Sequence, residues 1–366
     1  MDKRAAERAR RAVARVTASA TDSVAAFCAV TPALRAAVPA DTWCGITLDP
    51  ATMLTTGGAH HEGLPPAVLP RLLAIEYGEA DVMLFTDMAR QDPPVGVLRE
   101  ATGKRPERSV RYRDVLEPSG MEHEARLVFR DGRQAWGALV LMREPGSPPF
   151  GPDEAEFLTE LSAPLARMVR QALLRGEVER GGLPDGPGLL ILSPDHAVES
   201  VTPTAERWLA DLVELRPDGA PLPYPVFSLA AQAAADDSGQ AARARARTRS
   251  GMWLTLHAWR LAGSRVAVTL ELSQPHELTA LVLDACGLSA REREVAQLAL
   301  LGYSTAEIAG ALFVSPYTVQ DHLKAVFDKT GVRSRRELAA QLFFRHYLPR
   351  IERSAPVAAN GWFDES

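Results

Sequence analysis

Four helix starts and two glycine stops fall within residues 288–337, LSAREREVAQLALLGYSTAEIAGALFVSPYTVQDHLKAVFDKTGVRSRRE, and no other stretch constrains the fold as tightly. Ser289 with Glu292, Ser304 with Glu307 and Ser334 with Glu337 all have capping-box spacing. In that arrangement the serine hydroxyl accepts from a free N–H in the first turn, and the glutamate carboxylate accepts from the serine's own N–H. Ser315 followed by Pro316 is the fourth start, with proline at the first helical position, where no N–H is needed. Gly302 and Gly331 end two apolar runs, where a left-handed residue closes a helix. The spacing predicts helices over roughly 289–301, 304–313, 316–330 and 335–346.

The apolar positions predict how these helices pack. Val295, Leu298 and Ala299 recur at helical spacing, as do Ile308 with Leu312, and Val319, Leu323, Val326 and Phe327. The short break at Val314 and Ser315 suits a helix-turn-helix, and Ala309 and Ala311 let its helices cross closely. The opposite face of the third helix carries Tyr317, Gln320, Asp321, Lys324 and Asp328. Gln320 and Lys324 are residue types that read purine edges in a major groove. Lys329, Arg333, Arg335 and Arg336 follow at the helix end, a placement that suits phosphates.

In LSAREREV, GYSTAEIAGALFVS and TVQDHLKAVFDKTGVRSR the chain resembles the LuxR-type (GerE-type) helix-turn-helix family, over about a sixth of its length. The resemblance implies that the helix containing TVxxH enters the major groove and that the fourth helix pairs two domains. Carried over, Thr318, Gln320, Asp321, His322 and Lys324 occupy the DNA-facing turns. Many members have lysine directly after the TV pair, whereas this chain has Gln320 followed by Asp321. Asp321 repels phosphate but can accept a hydrogen bond from cytosine, so the base sequence read by relatives does not carry over.

The net charge of −5 is unusual for a DNA binder until it is localised. Residues 284–350 hold nine Lys/Arg against seven Asp/Glu, a net of +2, and residues 315–336 hold five against two, a net of +3. The acidic remainder discourages non-specific DNA contact elsewhere, and so weak a positive face calls for dimerisation. Leu338, Leu342, Phe343 and Phe344 lie on the fourth helix, where the adjoining phenylalanines point about 100° apart. A bundle this small cannot bury them all, so they are the expected pairing surface of a homodimer on a near-palindromic site.

At 366 residues the chain has room for two or three domains. The expected class is α+β multidomain. Residues 1–178 form one sensory domain with an N-terminal helix, 179–187 a glycine- and proline-rich linker, and 188–275 a second domain. The helical DNA-binding domain then spans 282–348, and 349–366 form a disordered tail. The first helix is expected to run to about Ala29, followed by strands at Trp43–Leu48 and Met53–Thr56. Glu124–Arg130 and Ala135–Arg143 form a hairpin over Asp131-Gly132, and a helix runs from Pro152 to about Arg175. Over WGALVLMREPGSPPFGPDEAEFLTELSAPLARMVRQAL this domain resembles a GAF domain.

Beyond the linker come strands at Gly188–Ser193 and Ala197–Thr202, a helix from Thr204, a proline-broken centre at Pro217–Pro225, and a hairpin of Trp253–Trp259 with Arg265–Leu272. That order resembles a PAS domain. The run ARARARTRS at 242–250 reads equally as an exposed helix or a nucleic-acid contact. The arginine-rich opening, MDKRAAERARRAVARV, has no apolar segment or cleavage site and reads as a solvated amphipathic helix.

Cys28, Cys44 and Cys286 are too sparse for a disulfide framework or a metal site, which predicts a reduced, cytoplasmic protein. No apolar run nears the roughly 20 residues a membrane helix needs. No GxxxxGK[ST] loop is present. His60-His61 lack a third metal ligand, Asp236-Asp237 lack a partner, and Ser193, Asp195 and His196 crowd one turn instead of forming a triad. The expectation is therefore no enzyme, no cofactor and no metal. The partners expected are double-stranded DNA, a second copy and a small-molecule effector in the first domain. A ligand-binding or enzymatic sensor with secondary DNA binding, and a dimerisation scaffold with empty sensory folds, are the alternatives.

Overall fold

A computed structural model describes residues 2–60, 64–175, 186–212, 214–215, 222–236 and 238–339, and the chain divides into two units between Ser273 and Gln274. The first unit opens with α1 (Lys3–Ser19) and α2 (Ser23–Ala37). Asp2 caps the first, accepting from Arg4 N at 2.9 Å, and Asp22 caps the second, accepting from Ala25 N at 2.7 Å. That second cap breaks the single helix expected to run to Ala29, because Asp22 offers the backbone a fresh start. Ala5, Ala6, Ala9, Ala12 and Val13 form the buried stripe of α1.

The first sheet holds β1 (Thr42–Leu48), β2 (Thr55–His60), β3 (Val95–Val97), β4 (His123–Asp131) and β5 (Gln134–Arg143). Its helices are α3 (Leu69–Gly78), the single turns α4 (Phe85–Met88) and α5 (Leu98–Ala101), and α6 (Pro152–Arg175). β2 starts at Thr55 rather than Met53, since Met53 takes φ +61° and belongs to the turn. Ser162 ties α6 to β4, donating from Oγ to Val128 O at 2.7 Å and accepting from Arg130 N at 3.0 Å.

The second sheet holds β6 (Gly188–Leu192), β7 (Val198–Val201), β9 (Ala242–Arg247), β10 (Trp253–Arg260) and β11 (Val266–Leu272). Between β7 and β9 lie α7 (Pro203–Asp211), β8 (Glu214–Leu215) and α8 (Tyr224–Ala235). β8 runs parallel to β2 at the edge of the first sheet. The five main strands of the first sheet lie in the order β3-β4-β5-β1-β2, and the second sheet is ordered β7-β6-β11-β10-β9. Counted within each sheet, with the first read from its β2 side, both run second, first, fifth, fourth, third.

Two expectations change here. The proline-broken centre expected at Pro217–Pro225 gives way at Tyr224 to a helix buried almost all round from Tyr224 to Ala233. Residues 242–247 are a strand: Ala242, Ala244 and Ala246 face the core, and Arg245 reaches the buried Asp49 at 2.6 Å. An alternation of period two suits a pleat, not a helix. Leu54, Leu69 and Leu73 from the first half join Val226, Leu229 and Ala230 from the second in one cluster. The two halves therefore share this cluster through α3 and the turn before β2, while Ile46, Val128 and Val140 of the first sheet pack in a cluster of their own.

The second unit is helical, with α9 (Pro275–Ala285), α10 (Ala290–Leu300), α11 (Thr305–Leu312) and α12 (Pro316–Thr330). Residues 335–339 begin a further helix. The remaining positions of the helix expected at 335–346, the expected tail at 349–366, and linker positions 179–185 lie outside the described residues. Among the described residues no helix is long and apolar enough to cross a membrane.

Charge is buried under the first sheet. Glu124 pairs with Arg111 at 2.7 Å and Arg126 at 2.9 Å, and Arg126 also reaches Glu76 at 2.7 Å. Burial would push the Glu124 carboxyl up, but the two guanidinium groups outweigh it and hold it at about 2. A carboxyl depressed in this way stabilises the fold fully above the ordinary range near about 4.3. That contribution is lost as pH falls toward 2. Glu124→Gln removes the carboxylate that the two arginines share and leaves Arg126 only Glu76 and Arg111 only the more distant Asp81, at 3.5 Å, so it should lower the unfolding free energy by about 3 kcal/mol. Urea unfolding at pH 7 checks this, and the variant should also lose less stability than the wild type on acidification. An unchanged urea midpoint would show that the arginines find other counter-ions.

Candidate nucleic-acid interface

Serine caps set the geometry of the second unit. Ser289 N donates to Glu292 Oε2 at 2.7 Å and Glu292 N to Ser289 Oγ at 3.3 Å, and Ser304 with Glu307 repeats both distances. Thr318 N donates to Ser315 Oγ at 3.1 Å, which starts α12. The third expected box differs in one bond. Glu337 N donates to Ser334 Oγ at 3.1 Å, but the Glu337 carboxylate accepts from Arg333 N, one residue upstream of the expected donor. Gly302 and Gly331 take φ of +88° and +74° where the sequence places its stops.

Val295, Ile308, Ala309, Val319 and Leu323 form one part of the core; Leu283, Leu288, Ala296, Val326 and Leu338 form the other. Phe313 takes the left-handed φ of +54° at the end of α11 and points outward, 95% exposed, while Val314 turns back onto the core.

With Val319, Leu323 and Val326 turned inward, α12 presents Tyr317, Gln320, Asp321, Lys324 and Asp328 to solvent. Thr318 and His322 are half-buried beside them, and Thr318 Oγ1 lies 2.9 Å from Ser315 Oγ. Among the described residues, the side chains of Tyr317, Gln320, Asp321, His322 and Lys324 have no hydrogen-bond or ion-pair partner. This is a polar stripe with free donors and acceptors on a helix held at both ends.

Three residues expected at the surface contacts have internal duties instead. Lys329 Nζ reaches Glu292 Oε2 at 2.6 Å, tying the last turn of α12 to the first turn of α10. Burial alone would raise the Glu292 carboxyl, but Lys329 and the Ser289 N–H bring it below its ordinary value. Arg335 donates to Tyr303 O at 2.5 Å and Thr305 Oγ1 at 2.9 Å, holding the loop before α11. Leu338, expected to meet a second copy, is 1% exposed and closed into its own core. Arg333 and Arg336 are exposed, and Leu342, Phe343 and Phe344 lie outside the described residues. Sequence reasoning also missed Arg293 with Asp284 at 2.6 Å and Arg291 donating to Leu312 O at 2.5 Å. A basic residue in a first turn gives no sign of which carbonyl or carboxylate it will meet.

Between the first sheet and α3 lies a cavity of about 70 Å³, lined by apolar side chains with Glu76, Glu124 and Arg126 as its charged wall. Tyr77 sits there with its hydroxyl 3.1 Å from Thr55 Oγ1. Tyr224, from α8 of the second half, also lines the cavity. No sequence motif marked it, because its residues are scattered from position 42 to 224. His61, half of the expected-absent metal pair, lies outside the described residues.

Two outcomes follow. Ser315→Ala removes the cap of α12 and should destabilise the domain by about 0.5–2 kcal/mol, seen as an earlier transition in a thermal melt of the full chain. Lys329→Ala should cost stability too, yet leave the salt dependence of DNA binding unchanged. A flatter salt dependence for that variant would mean that Lys329 leaves Glu292 for phosphate.

Residues 287–342 match the family model of bacterial regulatory proteins of the luxR family. Over 61 residues the chain is 43% identical to the probable transcriptional regulatory protein NarL of Mycobacterium tuberculosis, which is 17% of this chain and 28% of that one. Over 55 residues it is 40% identical to the spore germination protein GerE of Bacillus subtilis, covering 15% of this chain and 74% of GerE. The chain thus spans under a third of the NarL relative but most of GerE. Among solved structures, SdiA of Escherichia coli aligns with 93% of this chain and 97% of its own at 13% identity, with a TM-score of 0.34. Through its helix-turn-helix domain, the chain belongs to the luxR family of bacterial regulatory proteins.

Proposed function

We propose that the protein is a cytoplasmic transcription regulator that binds a specific duplex sequence as a homodimer and adjusts that binding to a signal received by its first unit. The observation that carries this reading is the unpartnered polar stripe of α12, Tyr317 to Lys324, on a helix fixed by Ser315 at one end and Lys329 at the other. The NarL relative is described as a probable transcriptional regulator, which agrees with it.

Gln320, Asp321 and Lys324 supply base readout in this proposal, and Arg333 and Arg336 supply phosphate contacts. Phe343 and Phe344 form the pairing surface, without Leu338. The upstream halves act as GAF-like and PAS-like sensory domains, and their shared strand order supports a common origin for the two cups. The cavity under the first sheet takes the effector. At about 70 Å³ it is less than half the size of the roughly 150 Å³ cavity that accepts benzene, so its occupant is a molecule of few heavy atoms. Tyr224 in its wall passes occupancy to α8 and the second sheet.

Selection of bound duplexes from random sequence should yield a near-palindromic site. On that site Gln320→Ala and Lys324→Ala should each cost roughly 1–3 kcal/mol and relax preference at one base position. Recovery of no consensus, or equal losses on all sequences, would remove α12 as the reader. Light scattering on the selected duplex should give two chains per site, and one for Phe344→Glu. A single wild-type chain at full affinity would sink the dimer.

A further inference from the structure

The arginine-rich opening of the chain takes no part in the function proposed above, yet its side chains divide into two groups with different duties. Arg10 is an anchor: its guanidinium pairs with Glu160 of α6 at 2.5 Å and lies 5.3 Å from the Phe157 ring centre. Arg4, Arg8, Arg11 and Arg15 do something else. Separated by four, three and four residues, they fall within a 60° arc at about 100° per residue. That arc lies beside the buried stripe of Ala5, Ala9 and Ala12 and clear of it, and all four arginines are exposed. Among the described residues Arg4 and Arg15 have no side-chain partner. Arg8 reaches Asp2 only at 4.0 Å, and Arg11 meets Glu7 at 3.0 Å, both as well-exposed pairs. Such pairs hold their partners weakly.

The charge grows toward the end of the helix. Arg175 donates to Thr17 O at 2.6 Å, and Arg247 donates to Thr21 O at 3.4 Å, just past the end of α1. Arg247 belongs to the run at 242–250, which contains four arginines and no acid. One arginine of that run therefore lies beside the turn that follows α1. Residues 2–15 carry six basic groups against two acidic ones in a chain whose net charge is −5. A face kept this basic within an acidic protein is suited to a polyanion.

The helix-turn-helix domain indicates which polyanion. Lys329 and Arg335 are committed inside it, and the exposed Lys324, Arg333 and Arg336 share their region with Asp321 and Asp328. Little positive charge remains there to neutralise phosphate, although phosphate neutralisation supplies much of the affinity for DNA. We infer that the Arg4–Arg8–Arg11–Arg15 face of α1 is a second DNA-binding surface, taking the phosphate backbone of duplex that flanks the site read by α12. From Arg4 to Arg15 the helix spans about 16 Å, against about five phosphates on each strand. Guanidinium groups suit this use because they pair phosphate oxygens two at a time. Duplex already held by α12 presents its flanks at high effective concentration, so weak contacts suffice. The inference rests on the proposed reading of α12.

The experiment uses the full chain and the selected duplex, once trimmed to its consensus and once extended by 20 base pairs on each side. Two variants, Arg4/Arg8/Arg11/Arg15→Gln and Arg4/Arg15→Gln, keep good helix formers and leave Arg10 in place, and thermal melts verify their folding. The wild type should bind the extended duplex more tightly and with a steeper salt dependence than the trimmed one. The fourfold variant should lose that advantage, with its slope on the extended duplex flatter by about three units, and the twofold variant should lose about half as much. Both should equal the wild type on the trimmed duplex, with base preference intact. Equal wild-type affinity and slope on the two duplexes would overturn the inference while leaving the α12 reading in place. Variants that match the wild type on DNA but lose the ability to pull down an acidic protein would overturn it in favour of that partner. A wild type that binds no duplex would overturn both readings.

Discussion

One carboxylate sets where α12 stands. Glu292 accepts the Ser289 N–H that starts α10 and the Lys329 ammonium that ends α12. Neither contact alone fixes an angle between helices. Together they join the N-terminus of one helix to the C-terminus of another, across a core of Val295, Ala296 and Val326. The helix ends favour those signs, since a carboxylate suits the first turn and an ammonium the last. With its far end held there and its near end capped by Ser315, α12 has no use for its outer side chains in folding. That leaves Gln320 and Lys324 free for another molecule.

The first unit solves a different problem with buried charge. Arg111, Arg126, Glu124, Glu76 and Asp81 are all nearly inaccessible, and each ion would be costly alone. The network satisfies them jointly and places a charged wall beside an apolar cavity. Asp49 and Arg245 make a similar contact between the two halves, at 2.6 Å. A shared apolar cluster with a buried ion pair across it makes independent motion of the sheets expensive, so Tyr224 is a wall of the cavity rather than a visitor to it.

What could be read in advance follows the range of the interactions. Caps, glycine stops and apolar spacing are local, and they located α10, α11 and α12 to within a residue or two. The hairpin of β4 and β5 and the helix at Pro152–Arg175 were legible for the same reason. The failures are of two kinds. Where two local signals compete, as at Asp22, the sequence does not say which cap wins. Where a charged side chain meets a partner far along the chain, as Lys329 does with Glu292 or Arg245 with Asp49, spacing carries no information. The cavity belongs to the second kind, and so does the burial of Leu338.

The same distinction explains why an arginine count is a poor guide to a binding face. Arg10, Arg245 and Arg335 each hold two parts of the fold together, and the sequence around them looks no different from that around Arg4 or Arg15. Commitment is decided by what lies within reach. Arg10 points along the flank of α1 toward Glu160 and Phe157, while Arg15, five positions on, has turned by about 140° into solvent. A helix with apolar alanine on one side and one acidic anchor on its flank sorts its arginines by angle alone. Those left over crowd one face and repel one another along the helix. An anion laid across them relieves that repulsion, which is the physical reason to seek a polyanion at this face.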